Sequence, residues 1–111
     1  MVVPAWTVKL KHSAIDDLEL LGPTATKAIL RAAKERLTTD PLATTRHLKS
    51  LQPNAIAQRQ LSVRGRYRVL FSVDTAAAIV TIAVVGEKRG NALYAQGARY
   101  TAHESYSAKR S

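Results

Sequence analysis

Three β-rich runs joined by short connections fill the second half of the chain, and they constrain its fold more than any other feature. The runs cover residues 57–63, 67–74 and 79–85, separated by Arg64-Gly65-Arg66 and by Thr75-Ala76-Ala77. Connections this short join antiparallel neighbours, because a parallel pair needs a crossover of about a dozen residues or more. The sequence therefore predicts an antiparallel meander.

The first half of the chain has helical periodicity after one short strand. Apolar and polar side chains alternate over residues 6–11, which predicts a strand with one buried face. A helix is predicted from Ser13, with Asp16 completing a capping box, and it ends at Gly22-Pro23. A second helix is predicted over residues 24–37, where apolar residues recur at helical spacing.

The order of these elements predicts an α+β fold. We expect an antiparallel twisted sheet, made of the N-terminal strand and the three-stranded meander, with a two-helix hairpin packed on one face. A loop is predicted from Asp40-Pro41 to Leu51, and a short strand near residues 92–95. A single domain is expected over residues 1–104, followed by a flexible basic tail over residues 105–111.

The charge of the chain indicates a polyanionic or acidic partner. Lys and Arg number 17 against 8 Asp and Glu, which gives a formal net charge of +9 and a sequence pI near 10.4. Such an excess in a small domain is self-repelling, and binding to nucleic acid or to an acidic protein relieves it.

Several chemistries are excluded by what the sequence lacks. The chain has no Cys, which rules out disulfides, thiolate zinc sites and Cys nucleophiles and fits a reducing compartment. His12, His47 and His103 lack metal-ligand spacing, and the sequence has neither a P-loop nor a dinucleotide fingerprint. It also has no secretory start and no apolar run long enough for a membrane span. We therefore expect no metal, no cofactor, no membrane partner and a cytoplasmic location.

Arg68 lies inside a predicted strand, where side chains alternate between the two faces of the sheet. The set facing the helices is Tyr67, Val69, Phe71 and Val73, and the set facing away is Arg66, Arg68, Leu70 and Ser72. An arginine without a partner in such a position is destabilising. Arg68 therefore either pairs with Glu87 or Asp74, or lines a groove that an anionic ligand enters. The scarcity of acidic residues in this half favours the groove.

Other basic residues surround Arg68 in the sequence, and each is either a phosphate contact or an ordinary solvated charge. They are Arg59, Arg64, Arg66, Lys88 and Arg89. Arg59 shares its side of the strand with Leu61 and Val63, whereas Gln60 and Ser62 point the other way. Tyr94 either stacks on a base or packs against the core.

The sequence resembles the RelE/ParE superfamily of toxins from type II toxin-antitoxin systems over residues 6–94. The residues that carry the resemblance are an L-x-x-D-P loop at 37–41, a K-x-L element at 49–51 and a G-x-Y-R-V-L-F segment at 65–71. For RelE-type members the resemblance implies metal-independent messenger RNA cleavage, generally on the ribosome, that leaves a cyclic phosphate and a free 5′-hydroxyl. ParE-type members share the fold and inhibit DNA gyrase. Both types bind an acidic antitoxin.

The resemblance also implies roles for individual residues. Arg68 matches the arginine of the Y-R motif, and Lys88 matches the basic position after the glycine that ends the last strand. Arg59 matches the first basic strand residue, and Tyr94 matches the catalytic tyrosine. Leu61 stands where the family has a lysine that serves as general base. The departure implies an altered mechanism, a weak enzyme or a protein that is no ribonuclease.

We therefore predict a RelE-like messenger RNA endoribonuclease. Its catalytic residues are predicted to be Arg68, Lys88, Tyr94 and Arg59, and its RNA-binding residues Arg64, Arg66 and Arg89. His103 or Glu104 is a candidate for the missing base. Two alternatives stay open. The first is a ParE-like gyrase inhibitor without catalysis, and the second is a degenerate toxin retained for antitoxin binding.

Overall fold

A computed structural model describes residues 6–95, 98 and 99, and this part of the chain contains two helices and seven strands. In chain order the elements are β1 (Thr7–Leu10), α1 (His12–Leu21), α2 (Pro23–Leu37), β2 (Leu48–Ser50), β3 (Arg59–Val63), β4 (Tyr67–Asp74), β5 (Ile79–Arg89), β6 (Ala92–Ala95) and β7 (Ala98–Arg99). The predicted tail at 105–111, and His103 and Glu104 before it, lie outside the described residues. No helix in the described ranges is long and apolar enough to cross a membrane.

The predicted meander is confirmed, and it is longer than expected. Six strands follow one another across the sheet in the order β2-β3-β4-β5-β6-β7 among the described residues, and each neighbouring pair is antiparallel. Arg64 and Gly65 form the tight turn between β3 and β4, both with positive φ, and the Arg66 N–H donates to the Val63 carbonyl at 3.1 Å. This is the geometry of a type I′ turn, which suits the twist of a hairpin.

The direction of the N-terminal strand corrects the expectation of a wholly antiparallel sheet. β1 pairs with β5 in parallel, from Thr7 opposite Ile79 to Leu10 opposite Ile82, so the sheet is mixed. The alternation that predicted β1 reports which face is buried and carries no information on direction. The connection from β1 to β5 includes both helices and the start of the meander, which is long enough for a parallel crossover.

The helix break was predicted correctly, but the start of the first helix was not. Gly22 has a φ of 94° and donates its N–H to the Leu18 carbonyl at 3.1 Å, and Pro23 then begins α2. Lys11, rather than Ser13, is the N-cap of α1, and no side chain caps it. The predicted capping box is therefore wrong, because the Ser13 hydroxyl donates to the Ala83 carbonyl at 2.7 Å instead.

The two faces of the sheet carry separate apolar clusters, as the alternation along β4 predicted. Val69 and Phe71 are buried on the helix side with Ile29 and Leu37 of α2. On the opposite face a smaller cluster is formed by Ala57, Leu70, Ala83, Val84 and Leu93. The α+β layering is thus confirmed, and the helix-free face has an apolar centre with polar groups beside it.

Two polar side chains of α1 satisfy the backbone of β5 between its two edge partners. β1 pairs with β5 up to Ile82 and β6 pairs with it from Glu87, and a bulge at Ala83 interrupts the pairing with β4. In the gap, Ser13 donates to the Ala83 carbonyl, and the buried Asp17 carboxylate accepts the Val85 N–H at 2.8 Å. These bonds hold α1 against the sheet, since buried backbone groups need partners.

Replacement of Asp17 by Ala is expected to lower the free energy of unfolding by about 2–3 kcal/mol. The reason is that the Val85 N–H would remain buried without an acceptor. Urea denaturation of the two proteins measures the difference. Asp16→Ala, which alters an exposed neighbour on the same helix, serves as the matched control and should change stability little. Equal stability of Asp17→Ala and the parent chain would contradict this role for Asp17.

Candidate functional site

A groove of about 340 Å³ lies on the sheet face opposite the helices. Its lining residues are Arg46, His47, Lys49, Gln60, Ser62, Arg68, Lys88, Asn91, Ala92 and Leu93. Among these described residues four side chains are arginine or lysine, one is an imidazole, and none is acidic. The groove is therefore suited to an anionic ligand, because positive charges in a concave site reinforce one another.

Side chains of the central strands form the middle of the groove, because alternate residues of a strand point to the same face. Gln60 and Ser62 project from β3, Arg68 from β4 and Lys88 from β5. Arg68 is half-buried, stands opposite Ser62 and Gly86 in the register, and donates from Nη1 to the Tyr67 carbonyl at 3.0 Å. The predicted groove around Arg68 is thus present in the fold, and Lys88 lies in the same groove.

A second wall of the groove was missed in the sequence, where residues 40–51 were predicted to be a loop. Arg46 and His47 precede β2, and Lys49 lies on β2 opposite Gln60. A main-chain hydrogen bond fixes the backbone of His47 beside β3: its carbonyl accepts the Ser62 N–H at 2.7 Å. The available signal was the alternation of Leu48 with Lys49, but a strand of three residues is too short to recognise by period.

The structure places Arg59 apart from the groove. This side chain is only 7% exposed, and it donates to the Ser50 hydroxyl at 2.9 Å and to the Ala43 carbonyl. It lies on the same side of β3 as Leu61, which is in the helix-side core. Because successive residues of a strand point to opposite faces of the sheet, the residues of β3 that face the groove are Gln60 and Ser62. Leu61 therefore faces the helix-side core and not the groove.

Arg66, Arg89 and Tyr94 lie together on the helix side of the sheet, around Glu87. Arg66 Nε is 2.7 Å from Glu87 Oε2, and Arg89 Nη2 is 3.4 Å from Glu87 Oε1. The Arg89 guanidinium stacks on the Tyr94 ring at 4.7 Å from its centroid, a cation–π contact. These three residues therefore do not join Arg68 and Lys88. Glu87, which was considered as a partner for Arg68, bonds to Arg66 and Arg89.

Arg64 lies at a fourth place, the exposed β3–β4 turn. It lines a pocket of about 470 Å³ with Lys27 and Arg31 of α2. The seven predicted site residues are thus distributed over four places. Arg68 and Lys88 share the groove, whereas Arg66, Arg89 and Tyr94 surround Glu87, Arg59 is buried and Arg64 faces α2.

Glu87, with Arg66 and Arg89 bonded to it, makes the stability of the protein depend on pH. The hydrogen bond from Arg66 lowers the pKa of the Glu87 carboxyl, as the bond from Arg89 also does, against the opposite effect of burial. A carboxyl whose pKa is lower in the folded than in the unfolded state stabilises the fold at pH values above its unfolded-state pKa. This contribution is lost as the pH falls through the folded-state pKa.

Glu87→Gln is therefore expected to lower the thermal midpoint near neutral pH. The difference from the parent chain should shrink as the solution becomes more acidic than the ordinary pKa of glutamate. Thermal denaturation followed over a pH series measures this, with Glu35→Gln on the exposed face of α2 as the matched control. A difference that stayed constant from neutral to acidic pH would show that Glu87 acts through packing rather than charge.

The fold is that of RelE-type toxins, which confirms the resemblance predicted from the sequence. A solved structure with this fold is the toxin-antitoxin complex RelBE2 from Mycobacterium tuberculosis. One of its chains matches with a TM-score of 0.66 and 28% sequence identity, over 78% of this chain and 95% of that chain. No family model and no curated protein sequence matches this chain. The structural similarity therefore supports a toxin of the RelE type.

Proposed function

We propose that this chain is the toxin of a type II toxin-antitoxin system and cleaves messenger RNA in the groove on the helix-free face. The observation that carries the proposal is the composition of the groove lining. Arg46, Lys49, Arg68 and Lys88 line the same groove as His47, and no described lining residue is acidic. Cations bind the RNA backbone, and an imidazole can exchange protons near neutral pH.

Cleavage in this groove proceeds by attack of a 2′-hydroxyl on the adjacent phosphorus. His47 takes the proton of the 2′-hydroxyl, and the guanidinium of Arg68 stabilises the charge that develops on the phosphate oxygens. The bond from phosphorus to the 5′-oxygen then breaks, and Lys88 donates a proton to that leaving oxygen. The products are a 2′,3′-cyclic phosphate and a free 5′-hydroxyl. Gln60, Ser62 and Asn91 supply uncharged hydrogen-bonding groups to the bases and sugars.

The proposed partners are ribosome-bound message and an acidic antitoxin, in the cytoplasm. RelBE2 is a toxin-antitoxin complex, and the excess of positive charge in this chain suits an acidic protein that covers the groove. An antitoxin that neutralises Arg68 and Lys88 would compete with RNA for the same charges. Inhibition then follows from occupancy of the groove, without a conformational change.

A second candidate function is inhibition of DNA gyrase. The feature that favours it is that both groove-facing residues of β3, Gln60 and Ser62, lack an ionisable side chain. Fewer groups are then available for proton transfer than the number of cations alone would suggest. In that case the basic groove would hold an acidic protein surface rather than a reacting phosphate.

Purified protein distinguishes the two functions. Incubation with message on stalled ribosomes is expected to give fragments with 2′,3′-cyclic phosphate and 5′-hydroxyl ends, while gyrase supercoiling in a parallel reaction stays unchanged. Intact RNA together with inhibited supercoiling would overturn the proposal in favour of the gyrase inhibitor. If both assays show no effect but antitoxin still binds, the chain is a toxin that has lost its activity.

A further inference from the structure

A second basic surface adjoins the groove and is not used by the proposed chemistry. Its centre is the pocket of about 470 Å³ lined by Pro23, Thr24, Lys27, Ala28, Arg31 and Arg64. Three of these six described residues are cations and none is acidic. Lys27, Arg31 and Arg64 are exposed, and none forms an ion pair with another described residue. We call Lys27, Arg31 and Arg64 the α2 patch.

The α2 patch is connected to the groove by a small pocket between them. This pocket, of about 240 Å³, shares Arg31 and Arg64 with the α2 patch and shares His47 and Ser62 with the groove. Arg36 lines it as well, and Glu35 is the acidic residue among its described lining. The surface therefore forms one track of mostly positive charge, which runs from Lys88 and Arg68 past His47 to α2.

The arrangement of the α2 patch is unfavourable for folding when nothing is bound. Lys27 and Arg31 are four residues apart on α2, a spacing at which like charges repel and destabilise a helix. Arg64 has a φ of 56° at a turn position that Asn or Gly normally occupies. A bound polyanion would remove the repulsion.

We propose that the α2 patch binds the backbone of single-stranded RNA where the strand leaves the groove. This inference rests on the proposed function, because it takes the groove as the site of the reacting nucleotides. The continuous track identifies RNA rather than a protein as the occupant. A flexible chain with a charge at every nucleotide can neutralise the groove, the connecting pocket and the α2 patch at once. The α2 patch then increases affinity for long RNA and leaves the reacting phosphate untouched.

The test compares two lengths of RNA on a variant of the α2 patch. The variant is Lys27→Ala/Arg31→Ala, and the probes are fluorescent 2′-O-methyl oligouridylates of about 4 and about 12 nucleotides, lengths that span known single-strand sites. These probes cannot be cleaved, because the 2′-oxygen is blocked. The control, Lys9→Ala/Lys11→Ala, removes the same charge from exposed positions at and just after β1 that line none of the three pockets.

The variant is expected to bind the long probe about 10- to 30-fold more weakly at moderate salt. Its slope of log affinity against log salt should fall by about 1.4, from two lost phosphate contacts at about 0.7 each. The short probe should bind the variant and the parent chain equally, and the control should resemble the parent on both. Unchanged affinity for the long probe would overturn the inference, as would an equal loss on both lengths or a loss of antitoxin binding alone.

Failure of this inference can be told apart from failure of the proposed function. The binding assay needs no cleavage, so it gives an answer even if the chain does not cut RNA. Arg68→Ala reports on the groove through the short probe, and Lys27→Ala/Arg31→Ala reports on the α2 patch through the long one. Normal binding of the short probe by Arg68→Ala would count against the groove and leave the result for the α2 patch standing.

Discussion

Arg68→Ala is expected to slow RNA cleavage at saturating substrate by about 10²- to 10³-fold, the loss that follows removal of one preorganised donor from a developing negative charge. Arg68 lines the groove on the central strand β4, opposite Ser62 and Gly86 in the register, and the residue is half-buried. In cells, the variant should no longer arrest growth. Single-turnover cleavage of message on stalled ribosomes measures the rate.

The matched control for Arg68→Ala is Arg66→Ala, which truncates another arginine two residues earlier, just before β4. Arg66 bonds to Glu87 on the helix side, so its loss should change cleavage less than about threefold. Circular dichroism and thermal denaturation must show that Arg68→Ala is folded, since Arg68 also donates to the Tyr67 carbonyl. Full activity in folded Arg68→Ala would remove the groove as the catalytic site. Equal losses in both variants would indicate a general effect of charge.

Gly86→Ala is expected to lower the free energy of unfolding by about 2–3 kcal/mol. Gly86 lies in β5 where β6 folds back over it, and an added Cβ would stand 2.6 Å from the Tyr94 carbonyl oxygen and 3.0 Å from Leu93 Cδ1. The first contact is with backbone, so a change of rotamer cannot relieve it. The chain of β6 must move away from β5, and it carries Leu93 of the groove with it.

Gly90→Ala is the matched control for Gly86→Ala, because it makes the same change in the same hairpin. Gly90 has a φ of 61°, but an added Cβ there meets no atom within 4 Å, so backbone strain of about 1 kcal/mol is its whole effect. Chemical denaturation of both variants should place Gly86→Ala clearly below Gly90→Ala. If the two were equally stable, close approach of β6 would not be the reason for glycine at residue 86.

The sequence was sufficient to predict the elements whose pattern of apolar and polar residues extends over enough residues to be recognised. The strand over 67–74 was predicted with its observed bounds, and α2 was predicted to within one residue. The parallel direction of β1 could not be read, because alternation is the same in both directions. The strand β2 was missed, since three residues give one alternation at most.

The positions of the candidate site residues could be predicted where a single strand determines them, but not where distant segments meet. Alternation along β4 correctly set Arg68 on the helix-free face. It was wrong for Arg66, which precedes the strand and bonds to Glu87 on the helix side. The same rule, applied to β3, places Arg59 on the face of Leu61, away from the groove. Arg46 and Lys49 reach the groove only through the pairing of β2 with β3, which no local pattern encodes.

The parallel pairing of β1 with β5 has a consequence for synthesis of the protein. β1 is made first, but its partner residues, from Ile79 to Ile82, are made only after most of the domain has been translated. The sheet therefore cannot close on a nascent chain that has emerged only in part, because this long-range pairing comes last. Lys88 lies six residues after Ile82 on the same strand, so the groove forms only after β1 to β5 have all been translated. Under the proposed function, activity would therefore appear only late in synthesis of these elements, which leaves time for an inhibitor made beforehand to bind.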